Sequence, residues 1–151
     1  MNRVLVIIFL FSCISCSNES RTVHYQFNNV KINRLDKGDE VFFSYGYTND
    51  VNEIIKDASV AVDCSFDHFL FGFLLFHEDG TVEVINGGGG NFKILNKDQK
   101  IFHKNYSNSE LTSKLDSFKN AEYNNLYQIS DDLESEKSRN KSFGSKVVII
   151  P

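Results

Sequence analysis

The run Phe69-Leu70-Phe71-Gly72-Phe73-Leu74-Leu75-Phe76-His77 is the segment that most narrows the fold. It is apolar at odd and even positions alike, and it is short enough to be a strand rather than a core helix. Glu78-Asp79-Gly80-Thr81 follow directly, and Thr81 to Ile85 then alternates polar with apolar residues. Two strand-type runs joined by Asp-Gly predict a hairpin with a tight turn of the primed type, whose two central residues take positive φ. An arm that is apolar on both faces predicts a central strand covered on both sides. Gly72, with no side chain to pack, marks either a bulge or a close crossing.

Strand-type sequence dominates elsewhere too. Val23, Tyr25 and Phe27 alternate with polar neighbours, and Val30, Ile32 and Leu35 continue the pattern after Asn28-Asn29. Asp36-Lys37-Gly38-Asp39 is turn chemistry leading into an aromatic-rich strand over Val41 to Tyr47. Ser59 to Cys64 reads as a further strand. Phe92 to Leu95 and Lys100 to His103 read as a second hairpin around residues 96–99. Two helices are expected. Asp50 caps a short one reaching Lys56, and Ser107 with Glu110 forms a capping box for a longer one reaching Lys119, whose Leu111, Leu115 and Phe118 recur at helical intervals. Tyr123 to Ile129 favours a strand, and Asp131 to Ser142 reads as a charged, solvated connection. Val147 to Ile150 is a terminal strand that either completes the sheet or lacks its partner.

The N-terminal end has a different character. Met1-Asn2-Arg3 brings one positive charge, Val4 to Phe11 carries no polar residue, and Ser12-Cys13-Ile14-Ser15-Cys16 follows. A charged start, a short apolar run and a stretch of small residues are the three parts of a secretory signal. The run is too short for a transmembrane helix, which needs about 20 residues. The signal ends on cysteine, and there the sequence resembles bacterial lipoproteins, whose lipobox places aliphatic and small residues before a cysteine that receives a diacylglycerol group. Cys13-Ile14-Ser15-Cys16 fits at its last three positions and departs at the first, where Leu is usual. The competing frame, Leu10-Phe11-Ser12-Cys13, has the Leu but a bulky Phe after it. Cys16 is favoured because it leads straight into polar Ser17-Asn18-Glu19-Ser20. The resemblance implies a signal peptide over residues 1–15, a lipidated tether over 16–21 and a single domain over 22–151. Ser17, where Asp would favour inner-membrane retention, implies the outer membrane. Several acyl chains together make attachment effectively stable, where one alone is marginal.

Removing the signal leaves 136 residues, enough for one core, and moves the net charge from −4 to −5 because Arg3 is lost. The charges are mixed with no basic patch, so no nucleic-acid partner is expected. With Cys16 lipidated, Cys64 has no cysteine partner in the mature chain; with Cys13 lipidated, Cys16 and Cys64 are available to each other.

Chemical motifs are sparse. Gly87 to Gly90 is followed by Asn-Phe-Lys and a strand, where a phosphate loop needs Gly-Lys-Ser/Thr opening a helix. His24, His68, His77 and His103 are scattered, and Asp63-Cys64 with Asp67-His68 matches no metal-ligand spacing, so no metal and no cofactor are expected. Cys64 and His68 make a weak nucleophile pair without an orienting third group. The aromatics stand out: fourteen Phe and six Tyr with no Trp. Phe69, Phe71, Phe73 and Phe76 either build the core or line a surface for an apolar ligand.

These readings predict an α+β domain with an antiparallel, curled or barrel-like sheet and two helices packed on it. The strand–Glu-Asp-Gly-Thr–strand unit resembles that of small lipocalin-like lipoproteins of unknown function. The expected role is a membrane-anchored, non-catalytic binding or interaction domain of the cell envelope. A periplasmic immunity or inhibitor protein is the alternative, followed by an enzyme using Cys64 and His68.

Overall fold

The computed structural model describes residues 20–66, 70–88, 90–96, 100–104, 106–120 and 124–150, with the backbone alone for 118–120. Cys13, Cys16, His68 and Phe69 lie outside the described residues. Strands β1 (Arg21–Phe27), β2 (Val30–Lys37) and β3 (Glu40–Tyr45) form an antiparallel meander, and helix α1 (Val51–Lys56) leads into β4 (Ala58–Asp63). The hairpin β5 (Phe71–Phe76) and β6 (Val82–Asn86) starts a second sheet. Strands β7 (Asn91–Ile94) and β8 (Ile101–His103), helix α2 (Asn108–Asn120), β9 (Leu126–Ser130), α3 (Leu133–Ser142) and β10 (Val148–Ile150) follow. The first sheet has the order β10-β1-β2-β3-β4-β7, the second β8-β6-β5-β9. No helix among the described residues is long and apolar enough to cross a membrane.

The α+β architecture is the expected one, with the strands divided between two facing sheets that do not close into a barrel. Alternation decides which side chains meet between them. Tyr25, Ile32, Phe43, Val60 and Val62 from the first sheet pack with Leu74, Phe76, Val84 and Ile129 from the second. The outward face of the first sheet, with Leu35, Phe42 and Ala61, is covered by Ile54 of α1. Phe73, Leu75 and Ile85, facing out of the second sheet, lie under Leu111 and Leu115 of α2. The predicted central strand is therefore β5, between β6 and β9 and covered on both faces. Gly72 marks a close crossing: a Cβ there would stand 2.6 Å from the Ile85 carbonyl oxygen.

Three expectations need correction, and one that was left open is decided. The β5–β6 loop is not a primed turn. His77 N donates to Thr81 O at 2.9 Å and Gly80 N to His77 O at 3.1 Å, and Gly80 takes φ +85° while Asp79 does not take positive φ. This is a three-residue loop with the glycine absorbing the left-handed step. Nor do residues 92–103 form a hairpin. β7 pairs with β4 and β8 runs parallel to β6, so the two strands belong to different sheets, joined by the stacking of Phe92 on His103 at 4.7 Å. The last residue of the expected tether, Arg21, is already part of β1. The terminal strand β10 pairs with β1.

The largest difference is α3, a third helix where a solvated connection was expected. Asp132 caps it, accepting from the amides of Glu134 and Ser135. Its buried residues are Glu136 and Asn140, both polar. The Asn140 side chain accepts from Gln128 N and donates to Gln128 O, both at 2.7 Å, and Glu136 Oε2 accepts from Ser130 N at 2.7 Å. A helix thus supplies the hydrogen bonds that a neighbouring strand would give β9, and covers its open edge.

Candidate functional site

β1 carries the chain from Arg21 at one end of the sandwich to Phe27 at the other, about 20 Å at the usual strand rise. That second end holds the β1–β2 turn, the close of β3, the tip of the β5–β6 hairpin and the approach to β9. Asn28 turns the first of these at φ +52°, a left-handed conformation that Asn tolerates better than most residues. Gly80 lets the hairpin tip lean over Val30 and Tyr45; a Cβ at that position would lie 3.8 Å from the Val30 side chain and 4.0 Å from the Tyr45 hydroxyl. Asn125 fixes the third wall: its main-chain oxygen accepts from Phe76 N at 3.0 Å while its Nδ2 donates to Phe76 O at 2.6 Å.

Together these elements border an open cleft of about 690 Å³, inside the range of roughly 300–1,000 Å³ occupied by small-ligand sites. Its apolar floor is Phe27, Val30, Tyr45 and Phe76, with the Phe27 and Phe76 rings 5.8 Å apart. The rim is amide-rich, with Asn28, Asn29, Asn124 and Asn125, and the hairpin residues His77 to Gly80 form the remaining side. Asp79 is held below the usual carboxylate range because its Oδ1 accepts from the Thr81 hydroxyl at 2.7 Å and the Thr81 amide at 2.9 Å. Among the described residues no side-chain hydrogen bond engages Asn28, Asn29 or Asn124, which leaves those amide groups available to a ligand.

A second polar cluster lies on the outward face of the four-stranded sheet. The buried Glu83 carboxylate accepts from the Tyr106 hydroxyl and from Lys114 Nζ at 3.3 Å, and Lys114 Nζ also lies 2.8 Å from the Tyr106 oxygen. Burial, followed by the Glu83 carboxylate, raises the Tyr106 phenol. His77 Nε2 stands 3.6 Å from Glu83 Oε2, with the imidazole stacked on Phe102. The cluster ties α2 to β6.

The sequence-predicted residues do not gather at one place. Phe71 and Phe73 face α2, whereas Phe76 faces between the sheets and closes the floor of the cleft. Cys64 is buried beside Gly90, with its amide donating to Asp39 O at 2.7 Å. Burial pushes its thiol up to about 11, the reverse of what an activated nucleophile needs. His24 lies on the outward face of the first sheet, with its Nδ1 2.9 Å from Asn33 Oδ1 and its Nε2 2.8 Å from Asn49 Oδ1. His103 Nδ1 lies 2.9 Å from Val84 O. No group of three or more His, Cys, Asp or Glu among the described residues is placed to hold a metal ion.

Sequence reasoning missed the cleft because its amides come from two Asn-Asn pairs far apart in the chain, each of which reads on its own as turn chemistry. Their common signal is the neighbouring aromatic at Phe27 and the hairpin end at Phe76, which the packing of the two sheets brings together. Comparison with protein-family models, with curated proteins and with solved structures finds no match for this chain, so the functional reading rests on the cleft and on the N-terminal motif.

Proposed function

We propose that this chain is a bacterial envelope lipoprotein, anchored through Cys16, that presents a non-catalytic binding domain to its surroundings. The observation that carries this reading is the polarity of the domain. The chain enters the first sheet at Arg21, and the amide-rimmed cleft lies at the far end of β1. Only Ser17 to Ser20 separate Cys16 from that strand, a reach of about 17 Å when fully extended. A lipidated Cys16 therefore holds the entry end against the bilayer and turns the cleft away from it. Ser17 supports the outer membrane as the destination, by the sorting pattern described above.

Mass spectrometry of the protein extracted from membranes tests the anchor. The expected mature chain begins at Cys16 and carries diacylglycerol on that residue, and Cys16→Ser moves the protein to the soluble fraction. A mature chain beginning at Cys13 shifts the frame by one lipobox. An uncleaved, unmodified chain in the soluble fraction overturns the reading.

A second reading, an inhibitor or immunity protein for a toxin or hydrolase, draws on β7, which ends its sheet with Ile94 and the adjoining Leu95 exposed. Apolar side chains on an open strand edge favour pairing with another chain. It predicts that Ile94→Lys with Leu95→Lys abolishes a specific protein complex that substitutions in the cleft leave intact.

A further inference from the structure

We infer that the cleft recognises an uncharged saccharide chain, with the amide rim reading ring hydroxyls and the aromatic floor receiving the apolar face of a sugar ring. This inference rests on the reading of the cleft as the binding site. Three features select the ligand class. The first is the rim itself. Each side-chain amide offers two N–H donors and a carbonyl acceptor in one plane, which matches the alternating donor and acceptor character of neighbouring hydroxyls. Asn28, Asn29 and Asn124 have no competing side-chain partner among the described residues.

The second feature is charge. The cleft lining includes no Lys and no Arg, and its charged members are Glu78 and Asp79. A phosphate, carboxylate or sulfate would enter against that sign, with no bidentate cation to meet it. The neighbouring Lys100 is engaged over the Tyr45 ring at 4.7 Å. A cationic ligand fares little better, because one oxygen of Asp79 already accepts two bonds from Thr81.

The third feature is the floor. Phe27 and Tyr45 are half-buried, so part of each ring remains accessible from the cleft, while Phe76 is sealed beneath. An apolar tail such as an acyl chain would leave the amides of Asn28, Asn29 and Asn124 without partners, and an unmet polar group at a desolvated surface opposes binding. A sugar has an apolar face for the rings and hydroxyls for the amides.

The test is titration of the full chain, purified from membranes in mild detergent, with maltohexaose, cellohexaose, mannohexaose and chitohexaose, followed by saturation-transfer NMR. At least one of these is expected to bind. Asn28→Gly keeps the left-handed turn while removing the amide, and Asn124→Ala removes another; each is expected to weaken binding about fivefold, the value of one lost hydrogen bond. Tyr45→Phe removes a hydroxyl alone and is expected to weaken it less than Tyr45→Ala. Lys56→Ala, on α1, leaves binding unchanged. Binding by none of the four sugars overturns the inference, as does sugar binding that survives all the cleft variants. So does a neutral decapeptide that occupies the cleft in place of the sugars. Failure of sugar binding with Cys16 lipidated removes this inference and leaves the anchored-domain reading. Sugar binding by an unlipidated chain removes the anchor and leaves the cleft.

Discussion

Arg34 Nη1 lies 3.1 Å from Glu136 Oε2, and both side chains are sealed from solvent between the two sheets and α3. Arg34 also reaches Asp36 through Nε at 2.6 Å and Nη2 at 2.9 Å. The Tyr25 hydroxyl accepts from Arg34 at 3.2 Å and donates to Glu136 Oε1 at 3.0 Å. A charge in such a place is tolerable only when every donor and acceptor is met. Here the meeting joins β2 of one sheet to the helix that caps the edge of the other. Glu136→Ala strands an Arg34 donor, the Tyr25 hydroxyl and the Ser130 amide together. It is expected to cost about 3 kcal/mol, toward the lower end for a broken buried pair because Asp36 still holds the guanidinium. Glu136→Gln, which keeps an acceptor oxygen, costs less. Urea unfolding of both variants checks the order.

Gly72 of β5 leaves no room for a side chain beside β6. The 2.6 Å separation between its would-be Cβ and the Ile85 carbonyl involves backbone, which cannot rotate away. Gly72→Ala is expected to destabilise the protein by about 2 kcal/mol, the usual range for overpacking a tight core. The same change at an ordinary exposed strand position would have little effect. Chemical denaturation with an unchanged m-value would place the cost in the native state.

The parts of the fold that bury apolar residues at regular intervals were readable from sequence, because hydrophobic period reports which face is buried. β5 announced its two covered faces, and the reciprocal bonds between Ser107 and Glu110 at the start of α2 follow from the residue types alone. α3 was not readable on that basis, since its buried contacts are Glu136 and Asn140. Polar residues at that spacing look like a solvated face until the strand edge they serve is known. Asp132 caps the helix in the structure, but an Asp at the head of a charged segment is equally at home in a solvated connection. The 92–103 pairing failed for a similar reason: local alternation identifies strands but not which sheet receives them, and the partners of β7 and β8 lie elsewhere in the chain. The cleft likewise depends on contacts distant in sequence, the packing of the two sheets and the pairing of β5 with β9.

The Glu83 cluster makes a prediction about α2. The helix rests on the sheet through Leu111 and Leu115, a narrow apolar contact, and the Tyr106–Glu83–Lys114 bonds add a polar tie next to its start. Glu83→Ala removes the acceptor for both donors at once and is expected to cost about 2 kcal/mol, as for a hydrogen bond to a charged group. Hydrogen exchange should accelerate in α2 and leave β1 to β4 unchanged. Tyr106→Phe, which spares the Lys114 contact, should give a smaller acceleration.

Acid stability should depend on Asp132. The Ser135 hydroxyl, then the Ser135 and Glu134 amides, hold its carboxyl below the ordinary value of 3.8. A carboxyl lowered in the folded state binds protons more weakly there than in the unfolded chain. Its contribution is thus fully present above the ordinary value and lost as pH falls through the folded one. Asp132→Asn keeps an N-cap oxygen but does not titrate. The variant is expected to flatten the acid limb of a melting-temperature profile while changing the neutral plateau little. An acid limb identical to that of the parent would contradict this assignment.

Cys64 gives the opposite sign. Its thiol is raised from 9.0 to about 11, first by burial and then by the Asp36 carboxylate. A raised thiol binds its proton more tightly in the folded state, so its contribution is present below the ordinary value and lost as pH rises toward 11. At pH 8 a shift of that size leaves a thiolate population about a hundredfold smaller than that of a free cysteine. Iodoacetamide labelling of Cys64, followed by peptide mass spectrometry, should therefore be at least about tenfold slower in the native chain than in urea. Gly90→Ala adds a Cβ 3.2 Å from the Cys64 sulfur and 2.5 Å from a Val62 methyl, at a residue with φ +76°. That strain should open the pocket around the thiol, and labelling in the variant should approach the rate in urea. Fast labelling of the native parent would show that Cys64 is not sealed by its neighbours, and would return the cysteine to consideration as a reactive group.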